Sequence, residues 1–204
     1  MRLILTLLFL SASQGLLAQG SLRTLNSPDG AFHFTYPSYF VQCMQDSPDA
    51  PWGPDDCSSY IPVCESSDQA LNVACVAYPK ARFQGYPTFG AATFSAAEER
   101  DLKTEKDCLA ASGALSIPKS GKATVLINGV RFKVFDQDGA VMGNALDGHV
   151  YRTFHAGRCY QLATRAVMIN PGVFEQPVKQ LTSDDWKKVN DSLQQIVRSF
   201  RFLM

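Results

Sequence analysis

Six cysteines carry the clearest chemistry in this chain. They are Cys43, Cys57, Cys64, Cys75, Cys108 and Cys159. An even number of cysteines in an exported chain predicts disulfides, although sequence alone does not select one pairing among those possible. We expect Cys108–Cys159 and two further bonds among the first four cysteines, with Cys43–Cys57 and Cys64–Cys75 preferred. A zinc site is disfavoured, because the sequence has no C-x-x-C motif and no histidine at ligand spacing from a cysteine pair.

Acidic residues in a glycine-containing stretch could bind a divalent cation. Asp136, Asp138 and Asp147 lie in such a stretch, which we interpret as a loop, and calcium prefers oxygen ligands of this kind. The spacing differs from that of an EF-hand, and aspartate and glycine also build turns without a metal. We therefore expect no metal or cofactor, and these three aspartates are the calcium candidates.

The three histidines, His33, His149 and His155, are the candidate bases for nucleophilic catalysis. No G-x-S-x-G motif accompanies them, and a cysteine nucleophile would leave an odd thiol among the other five. On one strand, His149 and His155 would lie about 20 Å apart, too far to bind one metal ion together. We expect these histidines to be structural or exposed, and a secreted hydrolase with an unrecognised active site is the alternative.

Aromatic residues in irregular sequence form a possible binding surface. They are Trp52, Tyr60, Phe83, Tyr86 and Phe89. Exposed aromatic side chains over a cleft favour ligand binding. The alternative is that they pack beneath their own loops as small satellite cores.

The first 20 residues resemble a secretory signal peptide. Arg2 supplies a positive charge, residues 3–10 are an apolar run too short to span a bilayer, and small residues follow. Cleavage could follow Ala18 or Gly20. We expect a secreted or periplasmic product without a transmembrane segment, in which residues 21–204 form a single disulfide-stapled domain.

Composition excludes several classes of protein. The chain has 204 residues with 19 basic and 19 acidic side chains, a formal net charge of zero. Nucleic-acid binding is not expected, because phosphates favour a basic excess. An apolar fraction of 46% is too high for a disordered chain.

The remaining sequence predicts the elements that position these residues. Alternating apolar and polar residues predict strands at 31–36, 40–44, 71–78 and 93–96. Asn128-Gly129 predicts a hairpin over 123–135, and Ala156-Gly157 predicts another that joins 149–155 to 158–166. Residues 45–62 are expected to form a long loop. A short helix should begin near Thr104, an amphipathic helix should cover 182–199, and residues 200–202 should add a last strand.

These elements predict an α+β fold: a mostly antiparallel sheet of about six strands, a short internal helix and a long C-terminal amphipathic helix. The F-x-F-x-Y-P motif at 32–37 and the closing S-F-R-F at 199–202 resemble the PsbP-like and Mog1-like family. That resemblance implies an α/β/α sandwich and a non-catalytic accessory or binding role, and it assigns no functional residue.

We therefore expect an exported, non-catalytic binding or accessory domain, monomeric, whose ligand is a small molecule or an envelope protein. The alternatives are the secreted hydrolase and a structural envelope or assembly protein.

Overall fold

The computed structural model of this chain describes residues 21–43, 55–64, 70–110 and 123–203. The strands within those ranges are β1 (Leu22–Asn26), β2 (Phe32–Pro37), β3 (Val41–Cys43), β4 (Ala70–Ala77), β5 (Phe89–Glu99), β6 (Ala123–Ile127), β7 (Val130–Val141), β8 (Asn144–His155), β9 (Arg158–Ile169) and β10 (Arg201–Phe202). The α-helices are α1 (Glu105–Ala110) and α2 (Ser183–Ser199), and short 3-10 turns lie at Asp55–Cys57, Lys80–Phe83 and Pro171–Val173. The predicted signal peptide lies outside the described residues.

The strands form two antiparallel sheets. A small sheet has the order β1-β2-β10, and a large sheet has the order β3-β4-β5-β9-β8-β7-β6. The predicted α+β class is confirmed. The expectation of about six strands is wrong, because the described ranges contain ten. No helix in those ranges is both long enough and apolar enough to cross a bilayer.

Two features of the sheets differ from the prediction. Strand β1 exposes nearly all of its residues, so its sequence carries no apolar alternation. The stretch interpreted as an acidic loop is strand instead, because β7 and β8 continue to a tight turn at Met142-Gly143. Backbone pairing with β9 holds β8 extended along its whole length, whatever the polarity of its side chains. Asp136 consequently pairs with His149, and Asp138 pairs with Asp147.

The helix α2 and the small sheet cover the same face of the large sheet, which we call the front face. From β2, the Phe34 ring packs edge-on against Phe94 of β5 at 4.7 Å between centroids. From α2, the buried residues are Val189, Leu193, Ile196 and Val197, spaced three and four apart as the sequence predicted. This apolar contact is the main core of the protein.

The ends of α2 are both fixed by hydrogen bonds. At its start, the Thr182 hydroxyl accepts from the backbone N–H of Asp185 at 3.2 Å, and the Asp185 carboxylate accepts from the backbone N–H of Thr182 at 3.1 Å. At its end, the side-chain amide of Asn128 donates to the carbonyl oxygens of Arg198 at 2.9 Å and Phe200 at 2.7 Å. The turn between β6 and β7 therefore caps the C-terminus of the helix.

Three disulfides connect the periphery to the large sheet. They are Cys43–Cys57, Cys64–Cys75 and Cys108–Cys159, the pairing preferred from the sequence. The first two lie together in one buried cluster beside β3 and β4. The third ties α1 to the start of β9, on the face opposite α2, because Cys159 alternates with Tyr160 of the front-face core.

Exchange of Asn128 tests the connection between the β6–β7 turn and α2. Both Asn128 and Gly129 have positive φ, +48° and +85°, so Asn128→Gly preserves the turn and removes only the two hydrogen bonds. We expect a loss of about 1–2 kcal/mol in the free energy of unfolding, measured by denaturant titration. Asn128→Asp should cost more, because a carboxylate would then face two carbonyl oxygens.

The matched control is Ala156→Gly, at the equivalent position of the next hairpin, where φ is also +48°. The Ala156 side chain makes no hydrogen bond, so the free energy of unfolding should stay the same or rise, because glycine adopts a positive φ more readily than alanine. Equal stability of the wild type and both Asn128 variants would contradict the capping role.

Candidate binding cleft

A cleft opens on the front face, between α2 and strands β6 to β9. Its volume is about 490 Å³, within the range of about 300–1,000 Å³ typical of small-molecule sites. Its lining residues are Ala123, Val125, Leu126, Ile127, Val134, Asp136, Asp147, Gly148, His149, Tyr151, Thr164, Arg165, Ala166, Asn190, Leu193, Gln194, Val197 and Arg198.

The inner walls of the cleft are apolar. Val125 and Ile127 alternate on β6 and face the same side as Val134 of β7. Across from them, Leu193 and Val197 are one helical turn apart on α2 and are buried. An apolar group that entered the cleft would be removed from water by these side chains.

Tyr151 and Gln194 join the sheet to the helix across the floor of the cleft. The Tyr151 hydroxyl lies 3.2 Å from Oε1 and 3.0 Å from Nε2 of Gln194. Burial raises the pKa of Tyr151 above its ordinary value of 10.0, and the nearby Asp136 adds to this, whereas the hydrogen bond from Gln194 and the charge of Arg198 oppose it. The phenol is therefore neutral at physiological pH.

Acidic groups line one end of the cleft. Nδ1 of His149 and Oδ1 of Asp136 are 3.1 Å apart, and both side chains are largely accessible. Asp147 lies two residues before His149 on β8 and points to the same side. The backbone N–H of His149 donates to the Thr164 hydroxyl at 3.2 Å, which holds this part of β8 against β9.

Only two of the three calcium candidates line the cleft. Asp136 and Asp147 line the cleft, whereas Asp138 pairs with Asp147 along the strands but does not line it. Within the described ranges, one cluster of three metal-ligating side chains is compact enough to hold a metal ion. It consists of Cys43, Cys64 and Cys75. Those three sulfurs are engaged in disulfides.

The hydrolase alternative gains a carboxylate but no nucleophile. Asp136 is placed to orient His149, as an acid orients a catalytic histidine. In the described part of the chain, no serine hydroxyl or thiol contacts the His149 ring, and no cysteine there is free. His155 stacks on Phe202 at 4.1 Å, away from this pair.

The predicted aromatic surface is only partly assembled. Phe83 packs against Phe89 at 4.8 Å, and Tyr86 contacts Phe83 at 6.1 Å beneath the Lys179 ammonium group. Phe83, Tyr86 and Phe89 border a smaller cavity of about 220 Å³. Tyr60 is exposed, with its hydroxyl 2.6 Å from the sulfur of Met142. Trp52 lies outside the described residues.

Sequence reasoning did not find the helix wall of the cleft. Asn190, Gln194 and Arg198 follow one another at four-residue intervals, so they form a polar stripe along α2. The spacing was visible in the sequence. A polar stripe on an amphipathic helix is ordinarily solvated, however, and only the tertiary fold places this one opposite β8.

A buried arginine at the cleft directs its side chain to the opposite face of the sheet. Arg165 of β9 is 1% exposed, and its guanidinium donates to Oε1 of Gln137, the carbonyl of Val63 and the hydroxyl of Ser95. The Val63 carbonyl also accepts from the Thr93 hydroxyl at 2.8 Å. The segment next to Cys64 is thereby fixed to the sheet behind the cleft.

Comparison with known proteins gives structural similarities only. No model of a protein family and no curated protein matches the chain. A protein of Bacteroides thetaiotaomicron is similar at 11% identity and a TM-score of 0.46, with 91% of this chain and 49% of that one covered. This chain therefore spans about half the length of the Bacteroides protein.

Two further solved structures are similar over most of both chains. LpqN, involved in cell envelope biogenesis of Mycobacterium tuberculosis, has 13% identity and a TM-score of 0.48, with coverage of 90% and 91%. PsbP (CyanoP) from Synechocystis has 12% identity and a TM-score of 0.45, with coverage of 95% and 99%. A PsbP protein is thus among the similar structures, as the terminal motifs suggested.

Titration of Tyr151 tests its burial in the cleft. Its raised pKa means that the folded state keeps a proton that the unfolded state releases near pH 10. The stability contributed by the neutral phenol is present below that pH and is lost as the pH rises toward the folded-state pKa. Tyr151→Phe should cost about 1 kcal/mol of unfolding free energy at pH 8.

Because phenylalanine does not titrate, the difference between wild type and Tyr151→Phe should shrink between pH 9 and pH 10.5. Denaturant unfolding at a series of pH values measures it. Asn128→Gly, which removes no titratable group, is the control, and its difference from the wild type should not change over this pH range. A difference that stays constant with pH would contradict burial of the Tyr151 phenol.

Proposed function

We propose that this chain is an exported, non-catalytic binding domain that holds a small amphipathic molecule in the cleft beside α2. The observation that supports the proposal is the cleft: it has apolar inner walls, polar groups at its rim and the volume of a ligand site. The hydrogen bonds of Asn128 and Gln194 fix its two walls without a ligand. A preformed site binds at a lower entropic cost than one that must first be ordered.

Two alternatives are less well supported. The contact between Asp136 and His149 is the observation that favours a secreted hydrolase. Without a nucleophile beside His149 in the described ranges, we assign the pair to ligand binding instead. A structural envelope or assembly protein would have no need of the cleft, so ligand binding there separates this alternative from ours.

Export is supported by the three disulfides, which persist in oxidising compartments. If residues 1–20 are a signal peptide, the mature protein recovered from its native compartment should begin at Gln19 or Ser21, depending on the cleavage site. N-terminal sequencing measures this directly. An intact N-terminus at Met1 with six titratable thiols would overturn the export proposal.

Binding in the cleft is tested with the uncharged fluorophore N-phenyl-1-naphthylamine, whose emission rises in apolar surroundings. We expect saturable binding to the wild type. Val125 lines the cleft and is 37% exposed, so Val125→Trp should fill the space and weaken the affinity about tenfold or more.

The matched control is Thr124→Trp on the same strand. Thr124 is exposed, does not line the cleft, and its side chain alternates to the other side of the strand from Val125. This variant should bind as the wild type does, and circular dichroism should show that both variants are folded. Equal binding by both tryptophan variants, or no saturable binding by the wild type, would count against the cleft as the site.

A further inference from the structure

Charged side chains lie at opposite ends of the cleft, and the hydrogen bonds of the fold establish their order. Asn128 holds the last turn of α2, and so Arg198, beside the turn between β6 and β7. Strand β7 leads away from that turn, with Val134 paired to Tyr151 and Asp136 paired to His149 further along. Arg198 and Asp136 therefore lie on opposite sides of Tyr151. Each of them also influences the Tyr151 phenol electrostatically, in opposite directions.

The distance between the two ends follows from regular geometry. Gln194 marks the level of Tyr151 on the helix, and Arg198 lies one turn beyond it, about 6 Å along α2. Asp136 and His149 lie two residues away from Tyr151 in the other direction, about 7 Å along the strands. Measured along the backbone elements, the cationic and anionic ends of the cleft are thus at most about 13 Å apart, and Asp147 extends the anionic end further.

Two of the rim groups are available for a ligand. In the described ranges, neither the Arg198 guanidinium nor the Asp147 carboxylate has a protein partner within hydrogen-bond or ion-pair distance. Asp136 contacts His149, but a carboxylate has lone pairs for further donors. Between the ends lie apolar contacts from Val125, Val134 and Leu193.

A ligand that complements this pattern has an anion and a cation up to about 13 Å apart, joined by an apolar body. An extended peptide spans about 3.4 Å per residue, so three or four residues separate its terminal charges by that distance. A fatty acid would satisfy Arg198 but would leave Asp136 and Asp147 without a cation. An organic amine would satisfy the two aspartates but would leave Arg198 without an anion.

We propose that the cleft binds short peptides of three or four residues with free termini, the carboxylate at Arg198 and the ammonium group at Asp136 and Asp147. The apolar side chains of the peptide pack on Val125 and Leu193. This inference rests on the proposed binding function of the same cleft, and it adds the chemical class of the ligand.

The experiment is isothermal titration of the full mature protein with the tetrapeptide Leu-Ala-Ala-Leu in four forms: free, N-acetylated, C-amidated and doubly capped. Each cap removes one terminal charge. We expect each to weaken binding about fivefold, since the ion pairs are partly exposed, and the dipeptide Leu-Leu, too short to reach both ends, to bind at least as weakly as a singly capped form.

Two variants assign the ends of the peptide. Arg198→Gln should abolish the effect of C-amidation and keep that of N-acetylation, whereas the double variant Asp136→Asn with Asp147→Asn should do the reverse. Two control variants each remove one charge nearby: Arg201→Gln on β10 and Asp138→Asn on β7, neither of which lines the cleft. Both controls should preserve the two capping effects.

The outcomes separate the two proposals. If the fluorophore binds and Val125→Trp blocks it, but capping changes the peptide affinity less than twofold, the binding function stands and the peptide inference is overturned. Decanoate that binds more tightly than the tetrapeptide, and depends on Arg198, would also overturn it. If neither the fluorophore nor any peptide binds, both proposals fail.

Discussion

One helix has to cover most of one face of a seven-stranded sheet, and it cannot. Seven strands are about 30 Å across, while a helix covers a band of about 10 Å. The small sheet with β2 and β10 covers part of the remainder through Phe32 and Phe34. Above strands β6 to β8 no other described element completes the layer, and this shortfall produces the cleft. The apolar residues along its walls are the part of the core face that α2 does not reach.

The cleft keeps its shape because its two walls are tied at separate points. Asn128 holds the end of α2 to one hairpin, and Gln194 holds its middle to Tyr151. Each tie joins residues distant in sequence, so the width of the opening is a property of the fold and not of a loop. Side chains on regular elements also lose less freedom on binding than side chains on a mobile segment.

Local patterns predicted the elements that local chemistry determines. Asn128-Gly129 identified its hairpin because positive φ is required there, and apolar residues spaced three and four apart identified α2. The parts of the sheets that the sequence did not predict carry no such signal. Strand β1 is exposed, and the first half of β8 is held extended by its pairing with β9. The cleft could not be predicted, because Val125, Tyr151 and Arg198 come from three elements that meet only after folding. The sequence placed His149 on a strand as a polar residue, but it did not predict which residues, such as Asp136, would lie beside it.

The carbonyl group of Val63 connects the peripheral Cys64–Cys75 disulfide to buried side chains of the large sheet. This one oxygen accepts hydrogen bonds from both Thr93 and Arg165, and Cys64, the next residue, is held covalently to β4. Reduction of Cys64–Cys75 would free that segment to move, and the guanidinium of Arg165 would be left inside the protein with fewer acceptors directly below the ligand site. Reduction of a disulfide on one face of the sheet would then make the cleft on the other face less rigid.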